Sequence, residues 1–75
     1  MEVFSPEKLR KRREKLNLTQ GQLSQLAKVS RIHLIDIEKG RKLPGASILA
    51  RLADTLRVKI DYFFVKKDVK VETQK

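Results

Sequence analysis

The sequence predicts a small all-α domain, a compact bundle of five short helices. Three observations predict it: apolar residues recur at the helical period, residues that cap helix starts stand before several of the periodic stretches, and two of the stretches are separated by a turn of only three or four residues. Two short helices joined so tightly can pack only at a steep angle to one another.

The first helix opens at Ser5-Pro6-Glu7, with a hydroxyl N-cap, Pro at N1 and an acid in the first turn. Leu9 and Leu16 share one face of an otherwise charged segment, and Asn17 can take the left-handed position that ends it. Thr19-Gln20-Gly21-Gln22 is a capping box, Leu18 its hydrophobic staple, and Leu23, Leu26 and Ala27 give the second helix its stripe. Val29-Ser30 restarts the chain, so a third helix begins near Arg31, turns Leu34 and Ile37 inward, and stops at Gly40. After the loop Arg41–Gly45, the series Ile48, Leu49, Leu52, Ala53, Leu56 marks a fourth helix. Ile60–Phe64 forms a short fifth helix carrying three of the four aromatic residues, which plug the core. Residues 1–64 form one domain, and 65–75 a polar tail in which Val69 and Val71 alternate as in a strand, a dimer arm or a frayed end.

Composition narrows the function classes. Seventy-five residues with 40% hydrophobic content support one modest core and no buried substrate cleft. With no cysteine and a single histidine, neither a metal site nor a nucleophile–base constellation is expected; the chain reads as a non-enzyme without cofactor, metal or small-molecule substrate. No apolar run reaches the roughly 18–20 residues of a membrane span, and the start Met1–Pro6 has no signal-peptide character, so a soluble cytoplasmic protein is expected. Eighteen Lys and Arg against nine Asp and Glu give a formal charge of +9, which suits a polyanionic partner.

From Leu18 to Gly40 the chain runs Leu-Thr-Gln-Gly-Gln-Leu-Ser-Gln-Leu-Ala-Lys-Val-Ser-Arg-Ile-His-Leu-Ile-Asp-Ile-Glu-Lys-Gly. With Leu-Ala-Asp-Thr-Leu at 52–56 and Ile-Asp-Tyr-Phe-Phe at 60–64, it resembles the phage repressor and Cro family, the xenobiotic-response-element-like helix-turn-helix proteins, over about residues 6–64. The resemblance implies a lambda-repressor-like fold and sequence-specific binding of double-stranded DNA by a dimeric transcriptional regulator, repressor-like, on a palindromic operator. An antitoxin-like or adaptor module that uses the same fold for protein contacts is the alternative.

In that docking the N-terminal residues of the third helix meet base edges in the major groove. They are Arg31, Ile32, His33 and, one turn on, Asp36. Arg31 can fork onto guanine or hold a phosphate. Ile32 suits a thymine methyl or a protein contact, and His33 can donate to a base or a phosphate. Asp36 stands where relatives often carry an amide or a basic residue; its carboxylate can accept from cytosine N4 or pair internally with Arg31 or Arg12.

Phosphate contacts are expected from Gln20, whose counterpart in relatives clamps a phosphate, from Ser30, and from Lys39, Arg41 and Lys42 around Gly40. The resemblance further implies that Arg13 and Glu38 pair as a structural clasp. The chain departs from its relatives at Lys28 and Arg57, where glycine is usual, at Ser24, usually Ala, and at Arg12, usually apolar. Lys28 in a left-handed turn costs roughly 1 kcal/mol.

Overall fold

A computed structural model describes residues 1–67. The chain enters as strand β1 (Glu2–Phe4), continues through helices α1 (Pro6–Lys15), α2 (Gln20–Ala27), α3 (Arg31–Glu38) and α4 (Ala46–Leu56), makes one 3₁₀ turn at Ile60–Phe63 and leaves as strand β2 (Phe64–Lys66).

The helix starts follow from their caps. Ser5 Oγ accepts from Lys8 N at 3.2 Å, Thr19 and Gln22 close both bonds of the capping box, and Ser30 Oγ accepts from His33 N at 3.0 Å. Leu9, Leu23, Leu34, Ile37, Leu52, Leu56 and Phe63 are fully buried and form the core with Ala27, Val29, Leu49 and Ala53. Leu26 does not belong to it and is 60% exposed. The buried arc of α2 is Leu23, Ser24 and Ala27, and Leu26 lies roughly 100° from its centre at the helical repeat. Ser24 suits a packed position because its hydroxyl donates to Gly21 O at 2.8 Å.

The all-α, five-helix expectation needs correction. The described residues form four α-helices, a single 3₁₀ turn in place of the fifth, and a two-stranded antiparallel sheet. The register pairs Glu2 with Lys66, Val3 with Val65 and Phe4 with Phe64. Opposite charges and two aromatics face one another across the strands, and the Phe4 and Phe64 rings meet edge to face at 6.0 Å. Phe64 and Val65 favour this extended pairing over a further helical turn. The sheet claims Val65 and Lys66 from the expected tail, and Lys67 N donates to Met1 O at 2.8 Å. Val69 and Val71 lie outside the described residues.

Phe63 is the core plug, with Phe4 and Tyr62 against it at ring separations of 6.1 and 5.7 Å. Lys8 covers one face of Tyr62, its Nζ standing 4.4 Å from the ring centroid.

Three helices end on a left-handed residue that is not glycine: Asn17, Lys28 and Arg57, at φ 60°, 57° and 61°. After α2, Lys28 N and Val29 N fold back onto Gln25 O and Ser24 O, which lets the chain turn into α3 within the three residues Lys28, Val29 and Ser30. After α4, Val58 N reaches Ala53 O, and Arg12 Nε donates to Leu56 O at 3.0 Å. That last bond explains a basic residue at position 12: it satisfies a carbonyl at the end of α4.

One buried ion pair ties the helices together. Arg13 on α1 meets Glu38 at the end of α3 by two bonds, Nε to Oε2 at 2.7 Å and Nη2 to Oε1 at 3.0 Å, and its Nη1 donates to Leu18 O at 2.8 Å. The residues are 8% and 5% exposed, so neither charge has water to replace its partner. A carboxylate at a helix C-terminus opposes the helix dipole, and the guanidinium offsets that.

Two stability measurements check these inferences. Glu38→Ala strands the buried Arg13 guanidinium and lowers unfolding free energy in urea by about 3–5 kcal/mol, whereas the double change Arg13→Met with Glu38→Leu costs much less than the two single changes summed. Lys28→Gly relieves the left-handed strain but loosens the unfolded chain, for a net gain of about 0.5–1 kcal/mol.

Candidate nucleic-acid interface

Helix α3 buries Leu34 and Ile37 completely, which fixes its rotation and turns Arg31 and Ile32 outward. Ile32 is 76% exposed. His33, Ile35 and Asp36 are half-buried along the flanks of this face.

Arg31, at the first turn of α3, shares an open depression with Asn17, Thr19 and Gln20 at the start of α2. Two residues expected to read bases and to hold phosphate therefore lie on one surface, although they come from different helices. The N–H groups of Gln20 and Gly21 belong to the first turn of α2, where no intrahelical acceptor exists and the helix dipole favours an anion.

The Gln20 side chain is engaged already: its Nε2 donates to Glu38 Oε1 at 3.0 Å, the oxygen that also takes Arg13 Nη2. Glu38 thus fixes the orientation of the Gln20 amide and leaves its carbonyl oxygen and second N–H for an outside group. Ser30 uses an oxygen lone pair on His33 N and keeps its hydroxyl proton for another acceptor.

Past the end of α3, Lys39, Arg41 and Lys42 are all exposed. Gly40, at φ 78°, turns the chain so that Arg41 N and Lys42 N both donate to Asp36 O, at 2.9 and 3.4 Å. Arg41 Nη1 also stands 3.4 Å from Asp36 Oδ1. The internal partner of Asp36 is therefore Arg41 and neither Arg31 nor Arg12; Arg12 is spent on Leu56 O. The helical spacing of the sequence pairs residues three or four apart and so misses this contact, which spans five and depends on the Gly40 turn. Among the described residues Arg31, Lys39 and Lys42 make no ion pair, and no cluster of His, Asp and Glu suits a metal ion.

The site thus offers a guanidinium fork, an exposed methyl-bearing side chain, a helix N-terminus with an oriented amide, and two uncommitted ammonium groups. Among the described residues no helix is long and apolar enough to cross a membrane.

The chain is 30% identical over 61 residues to an HTH-type transcriptional regulator found in two strains of Mycobacterium tuberculosis; the match takes in 81% of this chain, which spans 44% of the length of those relatives. Among solved structures it is similar to the P22 c2 repressor protein in complex with a synthetic operator, at a TM-score of 0.76 and 28% identity over 81% of this chain and 92% of that one. The restriction-modification controller protein C.AhdI from Aeromonas hydrophila has the same fold, with a TM-score of 0.76 at 24% identity over 79% of this chain and 89% of the other. The family described as Helix-turn-helix matches residues 9–63, and the chain belongs to that family.

Proposed function

We propose that this chain is a sequence-specific binder of double-stranded DNA that regulates transcription, repressor-like, as a dimer on a palindromic operator. The observation that carries the reading is the outward face of α3, where Arg31 and the 76%-exposed Ile32 stand beside the anion-favouring start of α2. A helix of this kind fits the major groove, where each base pair shows a distinct pattern of donors, acceptors and methyls. The similarity to the P22 c2 repressor, solved with a synthetic operator, supports a duplex as the partner.

In this reading Arg31 donates a bidentate pair to guanine, Ile32 packs on a thymine methyl, and His33 donates to a neighbouring base or phosphate. Gln20, held by Glu38, and the first N–H groups of α2 grip one phosphate, with the Ser30 hydroxyl beside them. Lys39 and Lys42 contact the flanking backbone. Arg41 differs, because its guanidinium rests on Asp36.

One domain of this size reads few base pairs, so two copies on half-sites about 34 Å apart would supply the discrimination an operator needs. Exposed apolar side chains at Ile60, Tyr62 and Val65, beyond α4, offer a surface for the second copy. Phe63, fully buried, takes no part in it.

Selection of bound sites from a random duplex pool tests the reading, with a palindromic consensus as the expected result and no enrichment as the refutation. Once a site is in hand, Arg31→Ala weakens its binding by about 1–3 kcal/mol and relaxes preference at one base pair of each half-site. Lys42→Ala weakens all sequences alike and flattens the dependence of log affinity on log salt by about one unit. Ile32→Ala separates duplex recognition from an adaptor role: it lowers affinity for the selected site in the first case and leaves it unchanged in the second.

A further inference from the structure

Asp36 lies one helical turn after Ile32, on the side of α3 that the proposed docking directs at DNA. The other acid of α3, Glu38, is buried in its clasp with Arg13, so Asp36 alone brings negative charge from this helix to a polyanion.

Asp36 is bound to the segment after α3 through both its carbonyl and its carboxylate. Its carbonyl oxygen accepts from Arg41 N and Lys42 N, and its carboxylate meets Arg41 Nη1. The Arg41 backbone is thereby fixed beside the carboxylate, so the pair orders only the Arg41 side chain. The side chains differ in exposure, 19% for Asp36 and 64% for Arg41, so the carboxylate sits against the protein while the guanidinium lies over it.

In open solvent such a pair contributes little. A docked duplex changes the balance. Phosphates repel a bare carboxylate, and the repulsion grows as water leaves the interface. Moving Arg41 onto a phosphate would leave Asp36 uncompensated in that field, so the approach of DNA strengthens the internal pair.

We propose that Asp36 is a positioning residue that withholds Arg41 from the phosphate backbone and thereby sets the sequence-independent part of the affinity for DNA. The inference rests on the proposed docking of α3. It assigns flanking phosphate contacts to Lys39 and Lys42, and makes Arg41 a neutralising partner that Asp36 keeps in reserve.

A four-way comparison of the parent chain, Asp36→Asn, Arg41→Ala and the double variant on a short random-sequence duplex tests it, with far-ultraviolet circular dichroism confirming that each is folded. Asp36→Asn releases Arg41, so the slope of log affinity against log salt steepens by about one, and the affinity gain at about 50 mM salt exceeds that at about 200 mM by about 3.5-fold. Asp36→Ala behaves the same way. Arg41→Ala leaves the parent slope unchanged but lowers affinity, because Asp36 is left bare before the phosphates, and the double variant regains that affinity without steepening the slope.

A slope flattened by one in Arg41→Ala would overturn the proposal, because Arg41 would already be on a phosphate. So would an Asp36→Asn slope equal to the parent's, or a steepening that persists in the double variant. If the parent chain binds no duplex at low ionic strength, the docking itself is refuted and this inference falls with it; if the parent binds and only the comparison fails, the docking stands.

Discussion

The Glu38 carboxylate is the junction on which the arrangement of three helices depends. It is part of α3, takes both arms of Arg13 from α1, and orients the Gln20 amide at the first residue of α2. Through Arg13 Nη1 the same junction secures Leu18 O, in the short connection between α1 and α2. Helices of eight to eleven residues have little independent stability, so their relative placement comes from tertiary contacts. A buried charge pair adds directional demands to an otherwise apolar core: the bidentate geometry is satisfied only when α1 and the end of α3 stand in one orientation. The position of the α2 start relative to the face of α3 follows, and with it the spacing between an oriented amide and Arg31.

The sheet closes the domain at the other end. Both strands are three residues long, and a lone two-stranded pairing is at best marginal in water. Here it persists because Phe4 and Phe64 pack on the core and on each other, while Ser5 N donates to Phe63 O at 2.7 Å. The chain's entry and exit are thereby joined around Phe63, and the loop after α3 meets the sheet through Leu43 and Pro44, which share a depression with Phe4 and Phe64.

Strain and charge are both carried near that surface. Lys28 takes a left-handed conformation that glycine would adopt more cheaply, in the turn that sets α3 against α2. A surplus of nine positive charges opposes folding by self-repulsion, and the acids are placed where they offset it: Glu38 inside, Glu7 against Lys11 on α1, and Asp36 against Arg41. Among the described residues Arg31, Lys39 and Lys42, on and just after α3, are exposed and make no ion pair.

Local chemistry was legible in the residues themselves. Ser5, Thr19 with Gln22, and Ser30 marked three helix starts because a cap is decided within four residues. The left-handed Lys28 was legible from the family resemblance, which puts glycine at that turn, and the inward pair Leu34 and Ile37 oriented α3 before any contact was known. What required tertiary structure was every contact between residues far apart in the chain or outside the helical repeat. The β1–β2 sheet joins residues about sixty positions apart through runs too short to signal a strand, and so the fifth helix shrank to one 3₁₀ turn. The partner of Asp36 depended on the turn at Gly40, the exposure of Leu26 on which side of α2 met α4, and the hold of Glu38 on Gln20 on three helices converging at one carboxylate. Periodicity tells which face of a helix is apolar; which neighbour covers that face, and which polar atom is left over, is settled only when the helices pack.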